Sequence, residues 1–275
     1  MALVRQVRLL LKGADAWNKW RSGHLHDLVD LSVAELLNAD LRRAGLWSAN
    51  LRGAKLTEAS CDGADLRLAD LAQGQLQGAS LDSANLEGAN LADADLTAAD
   101  LRSANLQRAD LSRAKLGSAV LSNADLRGAV LQDAELKAAD LSDCRLSSAN
   151  MRGASLRSAK LLRADLSQAD LSGAKLSRAR CGATNFHACD LAEALELDRV
   201  VHKAPSTLTI DTLRLSHGAI PSAFLQGCGL SEWEIVMAKL YATAMSNEVL
   251  RSIQDKLFEL RSQREPLEPS PPLIE

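Results

Sequence analysis

Aromatic residues are scarce in this chain: four Trp, three Phe and one Tyr make up 3% of 275 residues. An ordinary globular core leans on more of them, so an average mixed interior is excluded and repetition becomes the first suspect. Charge of one sign is lacking too, with 32 Lys+Arg against 35 Asp+Glu. No global basic field therefore points to nucleic acid, and direct nucleic-acid binding is not expected. Long hydrophobic runs are missing. The apolar stretch from Val7 to Leu11 is interrupted by Arg8, is too short to span a membrane, and is followed by no small-residue cleavage site. A soluble, cytoplasmic protein with no membrane partner is the expectation.

Five cysteines, an odd number without CxxC spacing, make neither a disulfide framework nor a zinc site. Cys61, Cys144, Cys181 and Cys189 read instead as small buried apolar residues. The five histidines are as unpromising: His24 and His26 flank Leu25, His187 falls on a corner, and His202 and His217 stand alone. None has a metal or nucleophile partner at recognisable spacing. Hence no catalytic, cofactor-binding or metal residues are expected.

What the chain does have is a period of five. Leucine recurs at 36, 41, 46, 51 and 56, from 66 to 146 without a break, from 156 to 176, and at 191. Cys61, Met151, Cys181 and Phe186 fill the remaining centres, so the 32 units from Leu36 to Leu191 all have an apolar centre. Two residues before each centre stands alanine almost throughout, with Gly74, Cys144 and Cys189 among the exceptions. Both constant positions must share one crowded interior. The residue between them, usually Asp or Asn, and the two after the centre face water.

A helix would smear these leucines around all sides, and a flat strand would flip alternate ones to opposite faces. A chain turning a corner every five residues resolves this, with Ser and Gly suiting the corners. Leu66, Leu86, Leu106, Leu126, Leu146, Met151 and Phe186 are then core residues.

The units Ala64-Asp65-Leu66, Ala84-Asn85-Leu86 and Ala94-Asp95-Leu96 resemble the pentapeptide-repeat family. That resemblance implies a mainly β fold: a right-handed quadrilateral parallel β-helix with four units per turn, hence about eight coils. Open backbone edges at the ends of such a solenoid need caps. Residues 1–28, with Val4, Val7, Leu10, Leu11, Ala14 and Trp17 at helical spacing, read as one amphipathic helix capping the first coil. Trp17 and Trp20 lie on it. The resulting division is cap 1–28, β-helix 29–195, helical module 196–264 and Pro-rich disordered tail 265–275.

After Leu191 the register fails, since the next centre would be Glu196. Helix punctuation follows: Pro221 opens a short helix, Gly218, Gly227 and Gly229 close turns, and Ser231 with Glu234 makes a capping box for a helix to about Ala244. Val249, Leu250, Ile253, Leu257 and Leu260 mark one face of a final helix. The run from Ile220 to Leu230, with Trp233 and Ile235, resembles the helical module that links pentapeptide repeats to Toll/interleukin-receptor-type domains in bacterial proteins. No such domain follows here, so no nucleotide-cleaving activity is implied.

The leading function is a non-enzymatic scaffold or adaptor that presents a β-helical surface to a protein partner, in a bacterial signalling or defence system. The alternative is a DNA mimic binding a type II topoisomerase, because some family members resemble duplex DNA in shape and charge. Self-association of the rod is a third reading. Candidate contact residues are Trp233 and a column twenty residues apart: Asn50, Asp70, Asn90, Asp110, Asn150, Asp170 and Asp190, interrupted by Val130. That column would imitate a phosphate backbone, but its Asp and Asn also suit backbone capping at corners. Residues 36–195 carry 19 basic and 20 acidic side chains, which favours the structural reading. Trp47, Leu68, Val120, Val130 and Leu162 point outward singly.

Overall fold

A computed structural model describes residues 4–242 and 245–262. The helix expected from Ser231 to about Ala244 ends earlier, at Ala238, and a 3-10 turn over Lys239–Tyr241 leads into extended Ala242; the Pro-rich tail 265–275 lies outside the described residues.

Each five-residue unit closes a β-turn on its own leucine. At Leu66 the carbonyl accepts the Ala69 N–H at 3.1 Å, and Leu68, third in the turn, has φ 57°. A positive φ there is the type II requirement. The turn swings the chain through a corner, so alanine and leucine both point in while the residue between them points out. Successive coils then bind in parallel: Leu66 N–H donates to Asn85 C=O at 2.7 Å and Asp65 N–H to Ala44 C=O at 3.0 Å. Bridges join residues twenty apart on four walls, through Asp30, Glu35, Asp40 and Gly45 respectively. The result is a four-walled parallel β-solenoid. Leu86, Leu106, Leu126, Leu146, Met151 and Phe186 have no solvent exposure and Leu66 only 2%.

At both ends the rod is longer than the period-five reading from Leu36 to Leu191. Val29 and Leu31 are buried and Asp30 bridges Asn50, so the wall from Asp30 to Asp190 has nine rungs. At the other end the five-residue register fails, but the pairing does not. Lys175 bridges Leu195, Arg180 pairs Val201 and Asn185 bridges Thr207, so the offset grows from 20 to 21 to 22 residues. A 3-10 turn at Leu197–Arg199, entered through Glu196 with φ 61°, takes up extra chain. The boundary expected at residue 195 therefore falls inside the ladder. The longest continuous pairing described is here: β1 (Lys160–Leu162), β2 (Arg180–Gly182) and β3 (Val201–His202), in that order and parallel.

The N-terminal segment is two helices rather than the single one expected, α1 (Val4–Leu10) and α2 (Ala14–Ser22). Gly13 between them has φ 105°, a conformation that only glycine adopts freely, and it breaks the helical run. The pair caps the first coil. Trp17, fully buried, donates its indole N–H to Gly45 C=O at 2.9 Å, and Asn18 Oδ1 accepts Gly45 N–H at 2.7 Å. Gln6 does the same for the neighbouring wall, donating to Leu28 C=O and accepting Asp30 N–H. These side chains occupy ladder groups that the first coil would otherwise leave open.

Beyond the ladder come α3 (Ile210–Leu215), α4 (Ser222–Gly227), α5 (Glu232–Ala238) and α6 (Asn247–Ser262). Thr212 Oγ1 donates to Phe186 C=O at 2.6 Å and Ser216 Oγ accepts Leu191 N–H at 2.9 Å, closing the other end. Phe224 meets Phe186 edge to face at 5.5 Å. The capping box of α5 forms in both directions between Ser231 and Glu234. Of the α6 face expected from Val249 to Leu260, only Ile253 is buried.

Candidate interaction surface

A surface is what remains once the fold has used its polar groups, so the outward residue of each unit comes first. Ladder bonds reach the N–H of the centre and of the second corner residue, but not that of the first. The Asp or Asn before the centre takes it: Asp65 Oδ1 accepts Arg67 N–H at 3.3 Å, Asp70 that of Ala72 at 3.1 Å, and Asn90 that of Ala92 at 3.1 Å. The same bond recurs from Asp30 to Asp190. These are Asx caps, and they account for the residue type without any partner.

Of the expected contact residues, Asp70, Asp110, Asp170 and Asp190 do stack on one wall with Asn50, Asn90 and Asn150 between them and Val130 interrupting. The column is not a run of bare charge. Asn90 Nδ2 donates to Asp70 Oδ1 at 3.0 Å, Asn50 to Asp30 at 3.2 Å, and Arg152 meets Asp170 at 3.3 Å. From Asp30 to Asp110 one carboxylate stands per two rungs, about 9.5 Å apart, against a duplex charge every ~1.7 Å. Trp233 lies elsewhere, half-buried on α5, so the structure does not join it to this column.

Arginines along the rod are mostly clipped to carboxylates. Arg67 holds Asp65 and Arg127 holds Asp125 within one unit, while Arg113 reaches Asp93 and Arg163 reaches Asp143 across coils. The Arg67 guanidinium hydrogen-bonded to Asp65 holds that carboxyl below the usual range, and Arg42 holds Asp40 down to about 2. Such exposed pairs contribute little energy each, but they neutralise the surface.

Chemically reactive groups do not converge. Burial pushes the thiols of Cys61, Cys144, Cys181, Cys189 and Cys228 up to about 12, so none is a ready nucleophile. His202 packs its ring on Phe224 at 5.1 Å, with neither ring nitrogen hydrogen-bonded to the protein, and burial lowers its pKa. It is a packing residue of the C-terminal cap. Among the described residues no group of three His, Cys, Asp or Glu side chains is placed to hold a metal ion, and no helix is long and apolar enough to cross a membrane.

Two features escaped the reading of motifs. One is Thr184, which stands where alanine belongs, is fully buried, and accepts Gly182 N–H at 3.0 Å from inside the coil. The other is the outward column Asp100, Val120, Asp140, Lys160, Arg180, which changes sign at its end. Folding the sequence on a twenty-residue period exposes that change; motif search does not.

Comparison with known proteins agrees with this geometry. The family model for pentapeptide repeats matches in 8 copies between residues 34 and 194. No curated protein matches the chain. Among solved structures, HetL, a pentapeptide repeat protein involved in heterocyst differentiation regulation in the cyanobacterium Nostoc sp. strain PCC 7120, is 31% identical. The match covers 70% of this chain and 87% of HetL with a TM-score of 0.64. QnrB1, a plasmid-mediated fluoroquinolone resistance protein, is 20% identical over 56% of this chain and 73% of its own, with a TM-score of 0.49. The Nostoc protein alr5209 is 45% identical over 32% of this chain and 69% of its own, TM-score 0.19. Five-residue units, four walls and a family match across the rod agree, and the chain belongs to the pentapeptide repeat family.

Proposed function

We propose that this protein is a non-enzymatic adaptor whose rod presents its walls to a protein partner, with α1 and α2 as one cap and the C-terminal helices as the other. The observation that carries this reading is how the polar side chains are spent. Asp and Asn cap corners and arginines neutralise carboxylates, so the walls offer a rigid relief rather than a concave site with unlike groups. We assign the coil a right hand, as parallel crossovers nearly always take. A cytoplasmic place in a bacterial signalling or defence system fits the Toll/interleukin-receptor-linked resemblance of the Ile220–Leu230 segment.

Binding of a type II topoisomerase by duplex mimicry is the competing reading, which the elongated shape supports and the alternating Asn/Asp wall opposes. Cross-linking of the tagged full chain in its native lysate, with cross-links read by mass spectrometry, tests the choice. The adaptor reading expects one stoichiometric partner linked to wall residues. Inhibition of gyrase supercoiling by submicromolar protein would overturn it.

A further inference from the structure

We infer that the wall carrying β1, β2 and β3 is the docking face, and that it takes an acidic segment of a partner protein. This rests on the adaptor reading and names the chemistry of the partner.

Along this wall the outward residue is Asp100, Val120 and Asp140, then Lys160 and Arg180, opposite each other in the ladder, with Val201 on the last rung. The flanking corners add cations. Arg178 donates its backbone N–H to Arg199 C=O at 3.0 Å, which puts these two on neighbouring rungs. On the far corner Lys203 lies over Gly182, its Cβ 3.4 Å from where a glycine side chain would begin. Neighbouring rungs are about 4.8 Å apart, and like charges facing each other across a ladder destabilise it. Many cations of the rod meet a carboxylate, as Arg113 does with Asp93 and Arg157 with Glu196, and on this wall Lys160 meets Asp140; Lys115 and Lys175 on another wall form no ion pair among the described residues. Arg178, Arg180, Arg199 and Lys203 form no ion pair among the described residues; the exposed carboxylate of Asp198 stands next to Arg199 in sequence.

Position 180 is also free of structural duty. Its counterpart in most units is the Asp or Asn that caps the next corner N–H. Here that N–H belongs to Gly182, and buried Thr184 caps it from within while donating to Leu161 C=O at 2.7 Å. At this rung the fold thus supplies the cap from within the coil and leaves the outward position to a cation.

Carboxylates on an extended segment match Arg178, Arg180 and Lys203, with Arg199, whose charge also acts on Glu196, at their edge, and Val201 and Leu162 between them offer apolar contact. Nucleic acid matches less well. His202, on the last rung, has its ring packed on Phe224 rather than open for bases to stack on, and the near-neutral chain supplies no long-range field.

The test is fluorescence anisotropy of the full chain with a labelled oligoglutamate peptide, and in parallel with a labelled single-stranded DNA of equal charge. The variant Arg178→Ser with Arg180→Asp restores the usual residue types of the repeat, so its melting temperature should match the parent. It should bind the peptide roughly tenfold more weakly, while Arg127→Ser, on another wall, binds as the parent does. Tighter binding of DNA than of peptide would overturn the inference, as would no peptide binding or equal loss in Arg127→Ser. A cross-linked partner that the double variant still captures would overturn this face and leave the adaptor reading standing. Gyrase inhibition would overturn the adaptor reading, with the anisotropy result unaffected.

Discussion

The rod and the C-terminal helices are built on opposite economies. In the rod every unit repeats the same few contacts, each central leucine is sealed in the interior, and each backbone bond has an equivalent neighbour. In the helices, stability hangs on single contacts such as Phe224 on Phe186, Thr212 on Phe186 C=O, and Ile253 on its surroundings. Exposed Phe258, Val249 and Met237 show how little of that module is covered. The difference teaches where a change spreads. Damage to a solenoid is shared with nearest neighbours, whereas damage to the module stays local.

The widest gap should come from truncating equivalent apolar residues in the two regions. Leu106→Ala, in the sealed core, should lower stability by about 2 to 5 kcal/mol in denaturant titrations, whereas Phe258→Ala should stay within about 0.5 kcal/mol. Equal losses would break the comparison. A smaller effect is expected where the two economies meet. Trp17→Phe keeps the bulk but removes the donor to Gly45 C=O, and should cost about 1 to 3 kcal/mol, with faster amide exchange in the first coils than in the last.

The corners sharpen the picture from the opposite side. Leu68 holds a bulky side chain at φ 57° and is 68% exposed, over a glycine at 88. Leu68→Gly should therefore stabilise the rod by about 1 kcal/mol, read as a raised melting temperature.

The smallest effects are electrostatic and separate the regions by pH. Carboxylates such as Asp65 and Asp40 have folded pKa values below the unfolded value of ~3.9. Their stabilisation is present above that value and is lost as pH falls toward about 2, the value for Asp40. His202 is lowered by burial, so its neutral form is favoured in the folded cap. Stability from it is present above the unfolded ~6.5 and declines as pH falls below that value. Amide protection around α4, after correction for the intrinsic pH dependence of exchange, should thus fall between neutral and mildly acid pH while that of the rod is unchanged. His202→Leu should remove that pH dependence.

Much of this molecule was legible without coordinates because period five leaves the chain little choice. A buried leucine and a buried alanine two residues apart, followed by a turn, force a corner every unit; repetition stacks corners into walls. That logic reached the solenoid, the inward cysteines and the capping role of Asp and Asn. It stopped where periodicity stopped. The break at Gly13 depends on one backbone angle, and the continuation of the ladder to Thr207 depends on turns that absorb extra residues without breaking pairing. The cationic face depends on residues twenty or more apart in sequence, which become neighbours only when coils stack. Local pattern sets what points inward; the meeting of distant side chains on one wall is a property of the stacked coil alone.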